Sequence, residues 1–177
     1  MRIKLKQDKD SILKIMKSED IERKLKILEK LNGVNEKESI KILIKTLEDQ
    51  SWCMREKAAH KLAAYGPRVS LRLTRLLKKG YWYTRASACL ALGEIGDMQA
   101  LEPIIGVLLD DENPSVQKEA STALVKLARK KPDKFSASLS KIALEKSKLR
   151  TVLFYIERVD IDLYQKVKAK VLDERDV

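Results

Sequence analysis

Residues 85–97 read RASACLALGEIGD, and related stretches come before and after them at a regular interval. When the chain is aligned on Arg55, Arg85 and Gln117, three segments follow one another at spacings of 30 and 32 residues. A fixed period of this length is the sequence signature of stacked structural repeats. The shared positions carry small residues, a leucine, and a glycine or alanine: Ala58, Ala88 and Ala120; Ala59, Cys89 and Ser121; Leu62, Leu92 and Leu124; Gly66, Gly96 and Ala128.

Each segment is predicted to form an amphipathic helix. The small residues and the leucine come four, five and eight positions after Met54, Thr84 or Val116, so they share one helical face. Small side chains on that face let neighbouring helices approach closely, and the leucine fills the space beyond them. A preceding helix is marked by further aligned apolar residues: Leu43, Leu73 and Ile105, then Leu47, Leu77 and Leu109.

Capping signals indicate where these helices begin and end. Gly66 and Gly96 follow a last helical turn, where a left-handed backbone conformation suits glycine. Asn35 is predicted to open a capping box, and Asn113 followed by Pro114 is typical of a helix start. Together these signals predict helices at residues 9–17, 20–32, 36–48, 52–65, 68–79, 82–95, 98–110, 114–130, 134–145, 147–158 and 161–173.

The predicted fold is all-α, a right-handed α-α superhelix (solenoid) of about five helix pairs plus a terminal helix. We expect a single domain over residues 1–177. Its well-formed repeats, at 36–130, would lie between degenerate repeats at 1–35 and 132–177. Atypical terminal repeats are expected because they must present a polar outer face to solvent.

The pattern resembles HEAT repeats, in particular the HEAT-like repeats of the phycobilisome lyase type. The matching stretches are LLDDENPSVQKEA at residues 108–120 and RASACLALGEIGD at residues 85–97. The family places Val-Arg before its alanines; Arg55 and Arg85 keep the arginine, whereas Gln117 departs from it. The resemblance implies a HEAT/armadillo-like superhelix in which the helix after the aspartate turn, the inner helix, lines the concave side.

Composition narrows the class of protein. Aromatic residues make up only 5% of the chain, which disfavours a β-sandwich or barrel, and the 36% of charged residues is common in thermophile proteins. Two cysteines cannot build a secreted disulfide framework. The basic N-terminus lacks the apolar segment of a signal peptide, and no run is long enough to cross a membrane. We therefore expect a soluble, cytoplasmic protein.

The net charge of +11 is unevenly distributed along the chain. Residues 1–80 carry +10, residues 81–111 carry −4, and residues 112–177 carry +5. Basic surfaces attract nucleic acid or acidic proteins, although a lysine-rich exterior also serves solubility. A candidate phosphate-binding stripe lies on one predicted outer helix, and a solvated helix face is the alternative. The basic stripe consists of Arg68, Arg72, Arg75, Lys78 and Lys79.

The candidate partner-binding residues surround a repeated tryptophan. Trp52 and Trp82 occupy the same aligned position, three residues before Arg55 and Arg85, and Tyr81 precedes Trp82. Aromatic residues and arginine dominate the hot spots of protein interfaces. The alternative is packing, in which a tryptophan at a helix start covers its neighbour and the arginine pairs with Asp49 or caps carbonyl groups.

Two further positions complete the predicted partner-binding surface. Ala86, Ser87, Leu90 and Ala91 are expected to form an exposed apolar spot on the central inner helix, and Leu90 is its largest member. His60 is expected on the exposed side of the preceding inner helix. The alternative is that solenoid curvature or a terminal helix covers the spot.

No catalytic or metal-binding constellation stands out in the sequence. His60 is the only histidine, so it cannot build a zinc site, and Cys53 has no general base in reach. We predict no cofactor, metal, membrane or small-molecule substrate. The leading hypothesis is a non-catalytic scaffold that binds another protein through its concave surface. The second is nucleic-acid binding through the basic stripe, and the third is an enzyme on the same scaffold, such as a chromophore lyase subunit or a DNA glycosylase.

Overall fold

A computed structural model of the chain describes residues 9–16, 18, 20–31, 36–142 and 144–173. Within these ranges the chain is helical and contains no strand, which confirms the predicted all-α solenoid class. The α-helices are α1 Lys9–Met16, α2 Ile21–Lys30, α3 Glu36–Thr46, α4 Trp52–Ala63, α5 Ser70–Lys79, α6 Trp82–Ile95, α7 Leu101–Asp110, α8 Pro114–Lys130, α9 Pro132–Lys141, α10 Lys146–Val159 and α11 Ile161–Asp173.

The helices pack as repeated pairs. Helix α3 packs against α4, α5 against α6, and α7 against α8, so each pair is one repeat. Helix α6 also packs against both α4 and α8, and α8 packs against α10. The second helices of successive repeats are therefore stacked in a row, and we keep the name inner helices for α4, α6 and α8. Helices α5 and α7 contact each other in a parallel row of outer helices.

The aligned small residues and leucines form the core between repeats. Ala58, Ala88, Ala120 and their leucine counterparts Leu62, Leu92 and Leu124 are all fully buried. Helices α6 and α8 approach closely, because a Cβ atom added to Gly93 would come within 2.8 Å of the Cα of Ala123. The predicted small-residue face is therefore buried, and the close approach at Gly93 and Ala123 involves small residues outside the aligned columns.

The capping signals hold where the structure describes them. Gly66 and Gly96 have positive φ angles of 63° and 71°, as predicted for glycines beyond a helix end. The Asn113 side chain accepts a hydrogen bond from the backbone amide of Ser115, and Pro114 begins α8. The predicted cap at Asn35 lies outside the described residues.

The predicted outer helices at 68–79 and 98–110 begin later than expected. Gly66–Val69 and Met98–Ala100 form short 3-10 helices that run into α5 and α7. The tighter 3-10 turn is a common start for a helix, and Pro67 occupies the beginning of the first one. Arg68 consequently lies before α5 and not on it. The other helix ends differ from the prediction by at most a few residues, and those of α6 and α8 agree with it.

Candidate partner-binding edge

The aligned Arg55, Arg85 and Gln117 side chains all hold the turn that precedes their own inner helix. Arg55 donates from Nη1 to the carbonyl oxygens five and six residues back, at 2.7 Å each. Arg85 Nη1 donates to the carbonyl of Gly80 at 2.8 Å, and Gln117 Nε2 donates to that of Asp111 at 2.8 Å. Gln117, which departs from the arginine of the family, therefore makes the same turn contact without the charge.

Ion pairs connect one repeat to the turn of the next. Arg85 of α6 forms a bidentate pair with Asp111 after α7, from Nε to Oδ2 at 2.5 Å and from Nη2 to Oδ1 at 2.9 Å. Lys24 of α2 makes a single contact with Asp49 after α3, from Nζ to Oδ2 at 2.8 Å. The hydrogen bond from Arg85 lowers the pKa of the Asp111 carboxyl, and the Asn113 amide strengthens this effect. Both aspartates are held mostly out of water, so these pairs define the geometry of the turns.

Among the described residues, Arg55 forms no ion pair with the turn that precedes the next inner helix. The position aligned with Asp49 and Asp111 is Lys79, so the sequence offers no carboxylate there. Arg55 is only 5% exposed, its Nε has no hydrogen-bond partner, and burial lowers its pKa. Its guanidinium instead lies over two aromatic rings, 4.9 Å from the ring centre of Tyr83 and 5.5 Å from that of Trp52. Such cation–π contacts partly replace the missing carboxylate.

Three exposed aromatic residues lie at the N-terminal ends of α4 and α6. Trp52 and Trp82 are each 45% exposed, and Tyr81 is 66% exposed. Tyr81 stacks on Tyr83 with ring centres 5.3 Å apart, and Trp82 meets the edge of Tyr83 at 5.6 Å. Since α4 and α6 are stacked neighbours, these side chains share one edge of the repeat array. We call Trp52, Tyr81 and Trp82 the aromatic edge.

An open groove of about 710 Å³ borders the aromatic edge. Tyr81 and Trp82 form one side of it, and the turn of Asp110, Asp111 and Glu112 forms another. Asp111 is neutralised by its pair with Arg85, whereas Asp110 and Glu112 are exposed and take part in no ion pair that involves the described residues. The groove therefore combines aromatic surface with two uncompensated negative charges. We call it the acidic groove.

The acidic turn was not predicted as part of a site. Asp110, Asp111 and Glu112 stand 28 to 30 residues beyond Trp82, and nothing in the local pattern links them to it. The available signal was the net charge of −4 over residues 81–111 in an otherwise basic chain. Only the stacking of consecutive repeats brings this turn next to the tryptophan.

The predicted exposed apolar spot on α6 is wrong. Ala86, Ser87 and Ala91 are at most 2% exposed and Leu90 is 9% exposed, because α4 and α8 pack against α6 from neighbouring repeats. Glu56 of α4 and Glu119 of α8 interact electrostatically, and Glu56 helps to raise the pKa of Glu119. Burial is the larger cause of that shift. Leu90 therefore belongs to the core and offers no surface for a partner.

The remaining predicted partner-binding residues are dispersed. Arg55 and Arg85 lie beside the aromatic edge, but their guanidinium groups hold turns, and Arg55 is buried while Arg85 is partly exposed. His60 is exposed but lies eight residues beyond Trp52, about 12 Å along the same helix. It faces the region of Glu94, whose pKa it helps to lower after the larger effect of Lys126. The predicted set thus divides into an exposed edge, a supporting arginine pair and a distant histidine.

The basic stripe is only partly continuous. Arg68 lies in the 3-10 helix before α5 and forms an ion pair with Glu36 at 2.8 Å. The stripe on α5 consists of Arg72, Arg75, Lys78 and Lys79, which are all exposed. Apart from Arg68, none of these residues forms an ion pair with another described residue.

The two cysteines differ in their exposure to solvent. Cys89 is buried in α6, and burial strongly raises its pKa, so it stays a neutral thiol. Cys53 is exposed at the start of α4. Among the described residues, no group of three histidine, cysteine, aspartate or glutamate side chains is arranged to hold a metal ion.

Comparison with known proteins supports the class that the fold defines. Residues 69–152 match the family model of HEAT repeats, a segment that runs from the start of α5 into α10 and includes the acidic groove. This match supports the assignment of the helical repeats to the HEAT-repeat family, whereas the phycobilisome lyase type stays a prediction. A search of curated proteins finds no match. Within the described parts of the chain, no helix has the length and apolar character needed to span a membrane.

Proposed function

We propose that this protein is a non-catalytic helical-repeat scaffold that binds another protein through the aromatic edge. The carrying observation is that Trp52, Tyr81 and Trp82 remain exposed together at one edge while the face of α6 is buried. Large exposed aromatic residues that cluster on a rigid frame are typical of interface hot spots. We also propose a cytoplasmic location, in keeping with the sequence prediction.

The edge is well supported from beneath, which favours a binding role. The Arg55 guanidinium holds the turn before α4 and lies over the rings of Trp52 and Tyr83. Tyr81 and Trp82 each contact Tyr83, so the exposed rings share one support. A partner that binds such preorganised side chains loses less conformational entropy than one that must order them. We therefore place the proposed site at the N-terminal ends of the inner helices and not on their concave surface.

The test compares the proteins that three forms of the chain retain in affinity purification with quantitative mass spectrometry. The forms are the wild type, a Tyr81→Ala/Trp82→Ala variant, and a control. A Leu71→Ala/Phe154→Ala variant serves as the control, because both residues are large, apolar and at least half exposed elsewhere. We expect a partner that the control retains and the edge variant loses. With that partner purified, the edge variant should bind about 30-fold or more weakly, the equivalent of about 2 kcal/mol. Equal binding by all three forms would show that the edge is not the site.

A second candidate function is nucleic-acid binding through the part of the basic stripe on α5. It is favoured by the exposure of Arg72, Arg75, Lys78 and Lys79 along one helix. Binding to phosphates would release counterions, so affinity for DNA or RNA should fall steeply as salt rises. Titration of labelled duplex and single-stranded DNA across a salt series tests this function. An affinity that does not depend on salt, or that survives Arg72→Ala/Arg75→Ala, would exclude it.

A further inference from the structure

We infer that the acidic groove recognises an arginine- or lysine-bearing segment of the partner protein, whose cationic side chain is held between the aromatic edge and Asp110 and Glu112. This inference rests on the proposed function and specifies the chemistry of the partner. Its basis is charge complementarity at a groove that also presents aromatic faces.

The charge of the groove contrasts with that of the chain. The whole protein carries +11, so a cationic ligand is repelled by most of its surface. In the acidic groove, Arg85 and Asp111 neutralise each other, which leaves Asp110 and Glu112 as uncompensated charges. The acidic groove therefore attracts a cation, and an anionic backbone such as nucleic acid is disfavoured there.

The neighbouring groove makes a useful contrast. A second groove, of about 650 Å³, lies on the other side of Tyr81 and is also lined by charged residues. Its charges are already satisfied, because Lys24 pairs with Asp49 and Lys45 pairs with Glu48. Of these two grooves, the acidic groove is the one that offers unpaired carboxylates beside exposed aromatic residues.

The chain itself shows how a guanidinium meets these rings. Arg55 lies over Tyr83 and Trp52 within 5.5 Å of both ring centres. The ring of Trp82 and that of Tyr81 retain exposed surface toward the groove side. A partner arginine placed there would combine a cation–π contact with hydrogen bonds to a carboxylate, which favours arginine over lysine.

Labelled synthetic peptides of alternating glycine and a variable residue provide the test, with binding followed by fluorescence anisotropy. The variable residue is arginine, citrulline (which keeps the shape of arginine without its charge) or glutamate. We expect binding of the arginine peptide, weakening as salt rises, and at least about tenfold weaker binding of the other two. A citrulline peptide that binds as tightly as the arginine peptide would overturn the inference.

Matched variants locate the site. Asp110→Asn/Glu112→Gln should weaken binding of the arginine peptide about tenfold. Glu102→Gln/Glu157→Gln removes the same charge at Glu102, at the far end of α7, and at Glu157, near the end of α10, and should leave binding unchanged. Equal weakening by both double variants would mean that overall charge, and not the acidic groove, determines binding. No weakening by Asp110→Asn/Glu112→Gln would mean that the peptide binds elsewhere. Circular dichroism confirms that each variant is folded, and the peptide comparison on the wild type does not depend on any variant.

Failure of this inference is distinguishable from failure of the proposed function. Suppose that Tyr81→Ala/Trp82→Ala abolishes binding of a partner and Asp110→Asn/Glu112→Gln does not affect it. The aromatic edge would then stand as the binding site, and the proposed cationic ligand would be refuted. A labelled oligothymidylate that competes with the arginine peptide and loses affinity on Asp110→Asn/Glu112→Gln would also overturn the inference, because an anion would then occupy the groove.

Discussion

The ion pair between Arg85 and Asp111 should contribute measurably to the coupling between the central repeats. The Asp111 side chain is only 7% exposed and that of Arg85 is 25% exposed, so the pair lies between a buried and a surface salt bridge. Removing one partner of a fully buried pair costs about 3–5 kcal/mol. Because water reaches Arg85, we expect Arg85→Met to lower the free energy of unfolding by about 2–3 kcal/mol. Asp111→Asn keeps an acceptor for the Asn113 amide and should cost about 1–2 kcal/mol.

The double variant decides whether the two residues act on each other. Once either partner is gone, the other has little left to lose, so Arg85→Met/Asp111→Asn should cost at least about 1 kcal/mol less than the two single changes added together. Urea unfolding followed by circular dichroism and tryptophan fluorescence measures these values. The free energies are valid only if both signals give the same urea midpoint, because repeats that unfold separately would violate the two-state assumption. Single costs that add to within about 0.5 kcal/mol would refute the coupling.

The same pair predicts a dependence on pH. Arg85 lowers the folded-state pKa of Asp111, so the stabilisation is present above the unfolded-state pKa, about 3.9, and is lost as pH falls through the folded-state value. The deficit of Arg85→Met relative to the wild type should therefore be full at pH 7 and shrink below about pH 4. A deficit that stays constant over this range would mean that the arginine acts only through its contact with the carbonyl of Gly80.

Two other substitutions test particular features of the structure. Gly66→Ala and Gly96→Ala both place a side chain at positive φ, and each should lower the free energy of unfolding by about 1–2 kcal/mol. Gly96→Ala should cost about 0.5–1 kcal/mol more, because its Cβ would displace Lys130, which donates to the carbonyl of Glu94. This additional cost should vanish when Lys130 is also replaced by alanine. Thermal unfolding of Gly66→Ala, Gly96→Ala, Lys130→Ala and Gly96→Ala/Lys130→Ala measures these costs. An additional cost of Gly96→Ala that persists without Lys130 would contradict the displacement of Lys130 as its cause. Glu119→Gln should stabilise the protein at pH 7 by about 0.5–1 kcal/mol, because burial and Glu56 raise the folded-state pKa of Glu119 and disfavour its charged form. A group with a raised pKa contributes its stability at low pH and loses it as pH rises, so the gain from Glu119→Gln should disappear below about pH 4, and unfolding curves at both pH values check this.

Much of the fold could be read from the sequence because its signals are local. The spacing of Ala88, Leu92 and Gly96 reports a single helix and its end, and the same spacing around Ala58 and Ala120 reports that the unit repeats. Helical periodicity and capping depend on residues within a few turns of one another. The bounds of α6 and α8 were predicted correctly for this reason.

The candidate site was predicted only in part. Trp52 and Trp82 were identified from their shared column, and both are half exposed as a binding role requires. Leu90 was misassigned because exposure on an inner helix depends on how closely its neighbours approach. In this array Gly93 and the alanines around it let α8 approach until the whole face of α6 is covered.

The sequence by itself determined an array of helix pairs, the small-residue faces on which they stack, and the repeated tryptophan at the start of the inner helices. Only the tertiary structure decided which of those residues reach solvent. It also showed that Arg55 and Arg85 hold turns, and that Asp110 and Glu112 border the aromatic edge. The physical reason is distance along the chain. Helix period and caps arise within a repeat, whereas the ion pairs that connect one repeat to the next join residues 25 or 26 positions apart, which only the stacking of repeats brings together.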